Sequence, residues 1–187
     1  MGRYRFSTTW HLQAPRERVW EALHDAERYP QWWPGFERVD VLDPGAPDGT
    51  GRRIRFTTRS RLPYRLTFET VARQVRTPDH VLIEAVGELD GVGVGQLHQD
   101  GEITTATYRW EVDAPKAWMA LLAPFARPAF VWNHHVIMAW GGRGLARHLD
   151  GRLLGHEAAP PVRLTDWAPL GGLVAGVGVL VALWARR

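Results

Sequence analysis

Two adjacent histidines, His134 and His135, and a scatter of carboxylates are the residues here whose types could carry acid–base or metal chemistry. Neighbours on a helix point about 100° apart, so this pair cannot clamp one ion as residues four apart can. No Asp or Glu stands near them, and the chain has no cysteine. Thiolate sites, disulfides and cysteine nucleophiles are excluded together. The spacing predicts no metal site, and at most one imidazole facing an interior to bond a ligand.

The other candidates are weaker. "DGVGVG" (Asp90 to Gly95) has the glycines of a phosphate loop, but it lies between strands with no helix following to supply an N-terminus. There is no G-x-S-x-G nucleophile elbow. Glu69, Glu84, Glu88, Glu102 and Glu111 mostly fall on strand faces that read as solvated. No catalytic constellation is visible, and nothing calls for a cofactor. Arg52, Arg53, Arg55, Arg59, Arg61 and Arg65 form a basic series on such a face, either simply solvated or resting on anionic headgroups. Aromatic residues alternate with these arginines and so lie on the opposite face, where they cannot stack bases beside them. With a net charge of only +3, no nucleic-acid partner is expected.

These residues need a scaffold, and the periodicities supply one. "YRFSTTWHLQA" (Tyr4 to Ala14) alternates as a strand. Pro15 suits the first turn of a helix whose apolar face is Val19, Trp20 and Leu23. A second short helix is expected over Ala26 to Trp32, stopped by Pro34-Gly35. "FERVDVLD" (Phe36 to Asp43) returns to strand. Strands follow over Gly51 to Arg59 and Pro63 to Thr77, with Ile54, Phe56 and Thr58 opposite the arginines, and Tyr64, Leu66, Phe68 and Thr70 opposite Arg65, Thr67 and Glu69. Asp90-Gly91 is expected to turn a hairpin. In "EITTATYRWEVD", Thr104, Ala106, Tyr108, Trp110 and Val112 share one face. Antiparallel meanders with one polar face read this way.

From Lys116 to Leu149 the period becomes helical, with Pro124 and Pro128 expected to kink or interrupt the first part. "GRLLGHEAAPPVRL" (151–164) reads as a linker. The last stretch, 165–187, holds nineteen uncharged positions from Trp167 to Ala185. As a helix they span about 28 Å, close to a bilayer core. Trp167 and Trp184 bracket the segment where interfacial aromatics belong, and Gly172 and Gly176 offer a close packing face. The segment is apolar on all sides, whereas a helix on a domain surface should show a polar face. The N-terminus lacks a signal-peptide core. The expectation is a domain over 1–150 on the cytoplasmic face of the cell membrane, held by a single C-terminal transmembrane helix.

Three segments carry a family resemblance: "APRERVWEALHDAERYPQWWPGF", "GVGVGQLHQDGEITTATYRWEV" and "WMALLAPFARPAFVWNHHVIMAWGGRGLARHL". Over about Arg3 to Leu149 they resemble the START-like (SRPBCC) superfamily, in its bacterial polyketide cyclase/dehydrase-like branch. The resemblance implies an α+β helix-grip fold: a curved antiparallel sheet wrapped around a long C-terminal helix, with a ligand cavity between them. Relatives often carry a bulky aromatic where Gly95 stands, so glycine there either widens the pocket or marks a bulge. The expected ligand contacts are Trp33, Phe56, Tyr64, Leu66, Phe68, Tyr108, Trp110, Phe125, Asn133 and Ile137. The leading expectation is a membrane-tethered binder or carrier of a hydrophobic small molecule such as a lipid, quinone or polyketide-like compound. A cyclase/aromatase-type enzyme and a chaperone-like module without a small ligand are the alternatives.

Overall fold

The structure is a computed structural model describing residues 3–59, 65–113 and 117–158. Strand β1 (Arg3–Gln13) leads to helix α1 (Arg16–His24), a single 3-10 turn (Ala26–Arg28) and the short helix α2 (Tyr29–Trp32). Six strands follow: β2 (Phe36–Asp43), β3 (Arg53–Arg59), β4 (Arg65–Arg76), β5 (His80–Gly87), β6 (Asp90–Asp100) and β7 (Ile103–Asp113). The long helix α3 (Ala117–His148) and strand β8 (Arg152–Ala158) complete the described chain. The strands form one antiparallel sheet in the order β2-β3-β4-β5-β6-β7-β1-β8. The sheet grips α3, the expected helix-grip arrangement.

Period-two patterning explains the inner face. Tyr4, Thr8, Trp10 and Leu12 of β1 are buried, as are Thr104, Ala106, Trp110 and Val112 of β7. Their register pairs Phe6 with Trp110 and Thr8 with Tyr108. Arg53, Arg55, Arg59 and Arg65 point outward. Glu69 bridges Arg53 and Arg55 at 2.8 and 2.7 Å, Glu37 takes Arg65 at 2.7 Å, and Glu84 takes Arg73 at 2.6 Å. The basic face is thus laced with carboxylates.

Helix α3 docks through glycines. A Cβ on Gly141 would lie 2.4 Å from the Trp33 ring, and one on Gly142 2.9 Å from Trp10 Nε1. Gly144 sits against the Trp32 backbone. Trp33 Nε1 donates to the Ile137 carbonyl at 2.8 Å, fixing α2 against α3.

Four sequence expectations change. Residues 152–158, read from the sequence as linker, form β8 on the free edge of β1. Adjacent Leu153 and Leu154 break the period-two pattern, and a bulge opposite His11/Leu12 absorbs the extra residue. The hairpin turns at Glu88-Leu89, not Asp90-Gly91, because the Asp90 carboxylate accepts the Gly87 N–H at 2.8 Å and closes the turn earlier. Pro124 and Pro128 do not interrupt α3, since each removes one backbone donor without ending the helix. The second short helix divides into the 3-10 turn and α2, with Pro30 in the first turn of α2. Among the described residues no helix is long and apolar enough to cross a membrane. The segment 165–187, on which the membrane expectation rests, lies outside the described residues.

Candidate ligand cavity

Curvature of the sheet around α3 leaves a cavity of about 350 Å³. The strands set its floor by alternation. Phe56 of β3, Leu66 and Phe68 of β4, and Tyr108 and Trp110 of β7, all candidate contacts named from the sequence, line it. Phe56 and Phe68 lie 5.5 Å apart, Tyr108 and Trp110 5.8 Å apart in a stacked pair. Trp33, just after α2, and Asn133 and Ile137 of α3, three more of the named candidates, line it too. Asn133 is only 4% exposed. Tyr64 and the side chain of Phe125 lie outside the described residues.

Two glycines of β6 shape the floor. A Cβ on Gly93 would stand 2.5 Å from the Trp110 ring and 2.6 Å from the Tyr108 hydroxyl. Its absence lets both rings lie down on the β6 backbone. Gly95 lines the cavity itself, and a Cβ there would meet Val81 at 2.9 Å. A bulky side chain at 95 would occupy this space.

Several lining residues were not singled out from sequence. Phe6 and Trp10 of β1, Tyr29 and Phe36 near α2, and Phe130 of α3 are part of the wall. The parity of "YRFSTTWHL" marks one face of β1, but its orientation depends on partners about a hundred residues away. Of the two histidines, His134 is the one that lines the cavity. Its ring stacks on Phe6 with centroids 3.8 Å apart and planes 20° apart.

The electrostatics follow from burial. Desolvation, with His135 and His156 nearby, pushes the His134 pKa down to about 3, so its imidazole is neutral at physiological pH. Burial raises the phenols of Tyr29 and Tyr108, which stay protonated. Thr8 Oγ1, Trp10 Nε1 and His134 Nε2 are buried with no hydrogen-bond partner among the described residues. No carboxylate lines the cavity among those residues, and no three His, Asp or Glu converge there to hold a metal ion. The arrangement offers apolar area, aromatic faces, a few neutral hydrogen-bonding groups and one charged group, the Arg52 guanidinium.

Comparison with known proteins points the same way. A family described as polyketide cyclase/dehydrase and lipid transport matches residues 3–147. No curated protein matches. Among solved structures, the Zhui aromatase/cyclase from a Streptomyces species superposes with a TM-score of 0.67 at 16% identity, over 80% of this chain and 94% of that one. A START superfamily protein from Mycobacterium smegmatis gives 0.60 at 15% identity, over 79% and 98%. The di-domain aromatase/cyclase BexL gives 0.64 at 20% identity, over 80% of this chain but 51% of its own, so this chain spans about half of that protein. At these identities the structures show a shared fold.

Proposed function

The chain belongs to the polyketide cyclase/dehydrase and lipid-transport family, and from that premise we propose that it binds and carries a hydrophobic small molecule between the sheet and α3. One observation carries this reading: a cavity walled by aromatic and aliphatic side chains on every element around it, with a few neutral polar groups set into the wall. The absence of any lining carboxylate among the described residues favours binding over an acid–base enzyme. The aromatase/cyclase likeness supports the second reading, cyclisation of a polyketide-type chain, and a poly-β-keto substrate that turns over would establish it.

Native mass spectrometry of the purified protein is the direct test, with a copurified hydrophobic compound as the expected result. Leu66→Trp should fill the cavity and abolish that uptake while the fold survives, since overpacking typically costs about 1–3 kcal/mol. Ligand retained by a folded Leu66→Trp variant would place the site elsewhere.

The uncharged stretch from Trp167 to Ala185 supports a tether that would hold the carrier at a membrane. Full-length protein should sediment with membranes and resist high salt, which screens surface arginines but not a buried span. A chain stopped at Pro161 keeps β8 and should be soluble and folded. Full-length protein that stays in the supernatant without detergent would end the tether reading. Release by high salt would move the attachment to surface charge.

A further inference from the structure

Resting on the ligand-cavity reading, we propose that the cavity selects an uncharged, ring-containing molecule bearing hydroxyl or carbonyl oxygens and rejects amphiphiles with an anionic head. The charges on the wall argue this first. Among the described lining residues Arg52 alone carries a formal charge. Its guanidinium sits at the α1 side of the cavity, donating to the His24 carbonyl at 2.6 Å with Glu27 at 3.8 Å. A carboxylate brought against His134 and Tyr108, away from Arg52, would find no counter-ion, and an unpaired buried charge is strongly disfavoured.

The polar groups argue the second half. The imidazole of His134 and the hydroxyl of Tyr108 are held neutral by burial. A neutral imidazole donates at one nitrogen and accepts at the other, and a phenol does both at one oxygen. Together with the Thr8 hydroxyl they suit a partner that exchanges hydrogen bonds without charge. The shapes supply the ring preference. Tyr108 and Trp110 lie within 27° of parallel on the floor, and Phe6 and His134 within 20°. Flat faces gain offset-stacked contacts from a ring beyond the area an acyl chain would bury.

The test titrates full-length protein with 2-naphthol, 2-naphthoate, naphthalene and laurate at pH 7, where the naphthol is neutral and the two acids are ionised. Binding is read by calorimetry and tryptophan fluorescence. Naphthol should bind at least about ten-fold more tightly than naphthoate, with laurate weaker still. His134→Leu should weaken naphthol by about five-fold while leaving naphthalene unchanged. Equal weakening of both probes would show that His134 only packs, and would overturn its polar role. Naphthoate or laurate binding as tightly as naphthol, and lost in Arg52→Met, would overturn the selectivity and assign the cavity to an anionic amphiphile, leaving the ligand reading intact. Failure of every probe, naphthalene included, would remove the ligand reading and this proposal with it.

Discussion

Gly144→Ala should lower the melting temperature by about 4–8 °C, on a scale of 2–4 °C per kcal/mol for a domain of this size. Helix propensity alone predicts the opposite sign, since alanine gains about 1 kcal/mol over glycine inside a helix. Sterics decide. The new Cβ would lie 1.8 Å from the Trp32 carbonyl oxygen and 2.9 Å from its carbonyl carbon. Both are backbone atoms and cannot swing aside. Helix α3 would have to lift from α2, disturbing the Trp33–Ile137 hydrogen bond and the packing of Trp10 and Trp33 behind it. A clash with backbone lies at the upper end of the usual overpacking cost of about 1–3 kcal/mol and outweighs the propensity gain, leaving a net loss of about 2 kcal/mol. Scanning calorimetry measures it, with exposed Arg147→Ala as a control expected to move stability by no more than about 0.5 kcal/mol. An unchanged or raised melting temperature in Gly144→Ala would mean that α2 and α3 are free to separate.

Acid should destabilise the domain well before its carboxylates titrate. His134 has a folded pKa near 3, depressed from an ordinary 6.5, and the same desolvation lowers His135 and His156. The groups acting on these rings are one another and Arg143, all of one sign when charged. The folded state therefore binds fewer protons than the unfolded chain. Stability is complete above about pH 6.5 and falls as the pH drops towards 3. His134 alone should account for roughly 2 kcal/mol between pH 6.5 and 5. Exposed carboxylates with lowered pKa values, such as Glu37 and Glu69, act in the same direction only below about pH 4.5. Urea unfolding at pH 7, 6 and 5 isolates the histidine window, and His134→Leu should flatten it. Equal pH dependence in that variant and the parent would show that His134 is not protonated on unfolding in this range.

How far the sequence reveals the cavity depends on the range of the interaction that sets each residue. Phe56, Phe68, Tyr108 and Trp110 were legible because each sits in a clean two-residue alternation opposite charged neighbours. That local pattern assigns a face without knowledge of the partner strand. Phe6 and Trp10 follow the same parity, but β1 pairs with β7 and β8 far along the chain, and nothing local says which face meets α3. Strand β8 was hidden by Leu153-Leu154, where the core takes Leu153 and the bulge leaves Leu154 outside. His134 could be narrowed only to one of two, since helical phase drifts across a helix of 32 residues.

The position of β1 also fixes the order in which the sheet can close during synthesis. Of the eight described strands it is translated first, yet its neighbours are β7 and β8, the last two of them. At typical translation rates the intervening chain takes roughly 5–20 s to appear. Throughout that interval β1 holds Tyr4, Phe6 and Trp10 on one side and two open edges of backbone donors and acceptors. Strands β2 to β6 each have chain neighbours as sheet partners, so those pairings need no wait for a distant segment, and β1 alone depends on one. On the ribosome, β1 is the segment that a holding chaperone would meet first and release last.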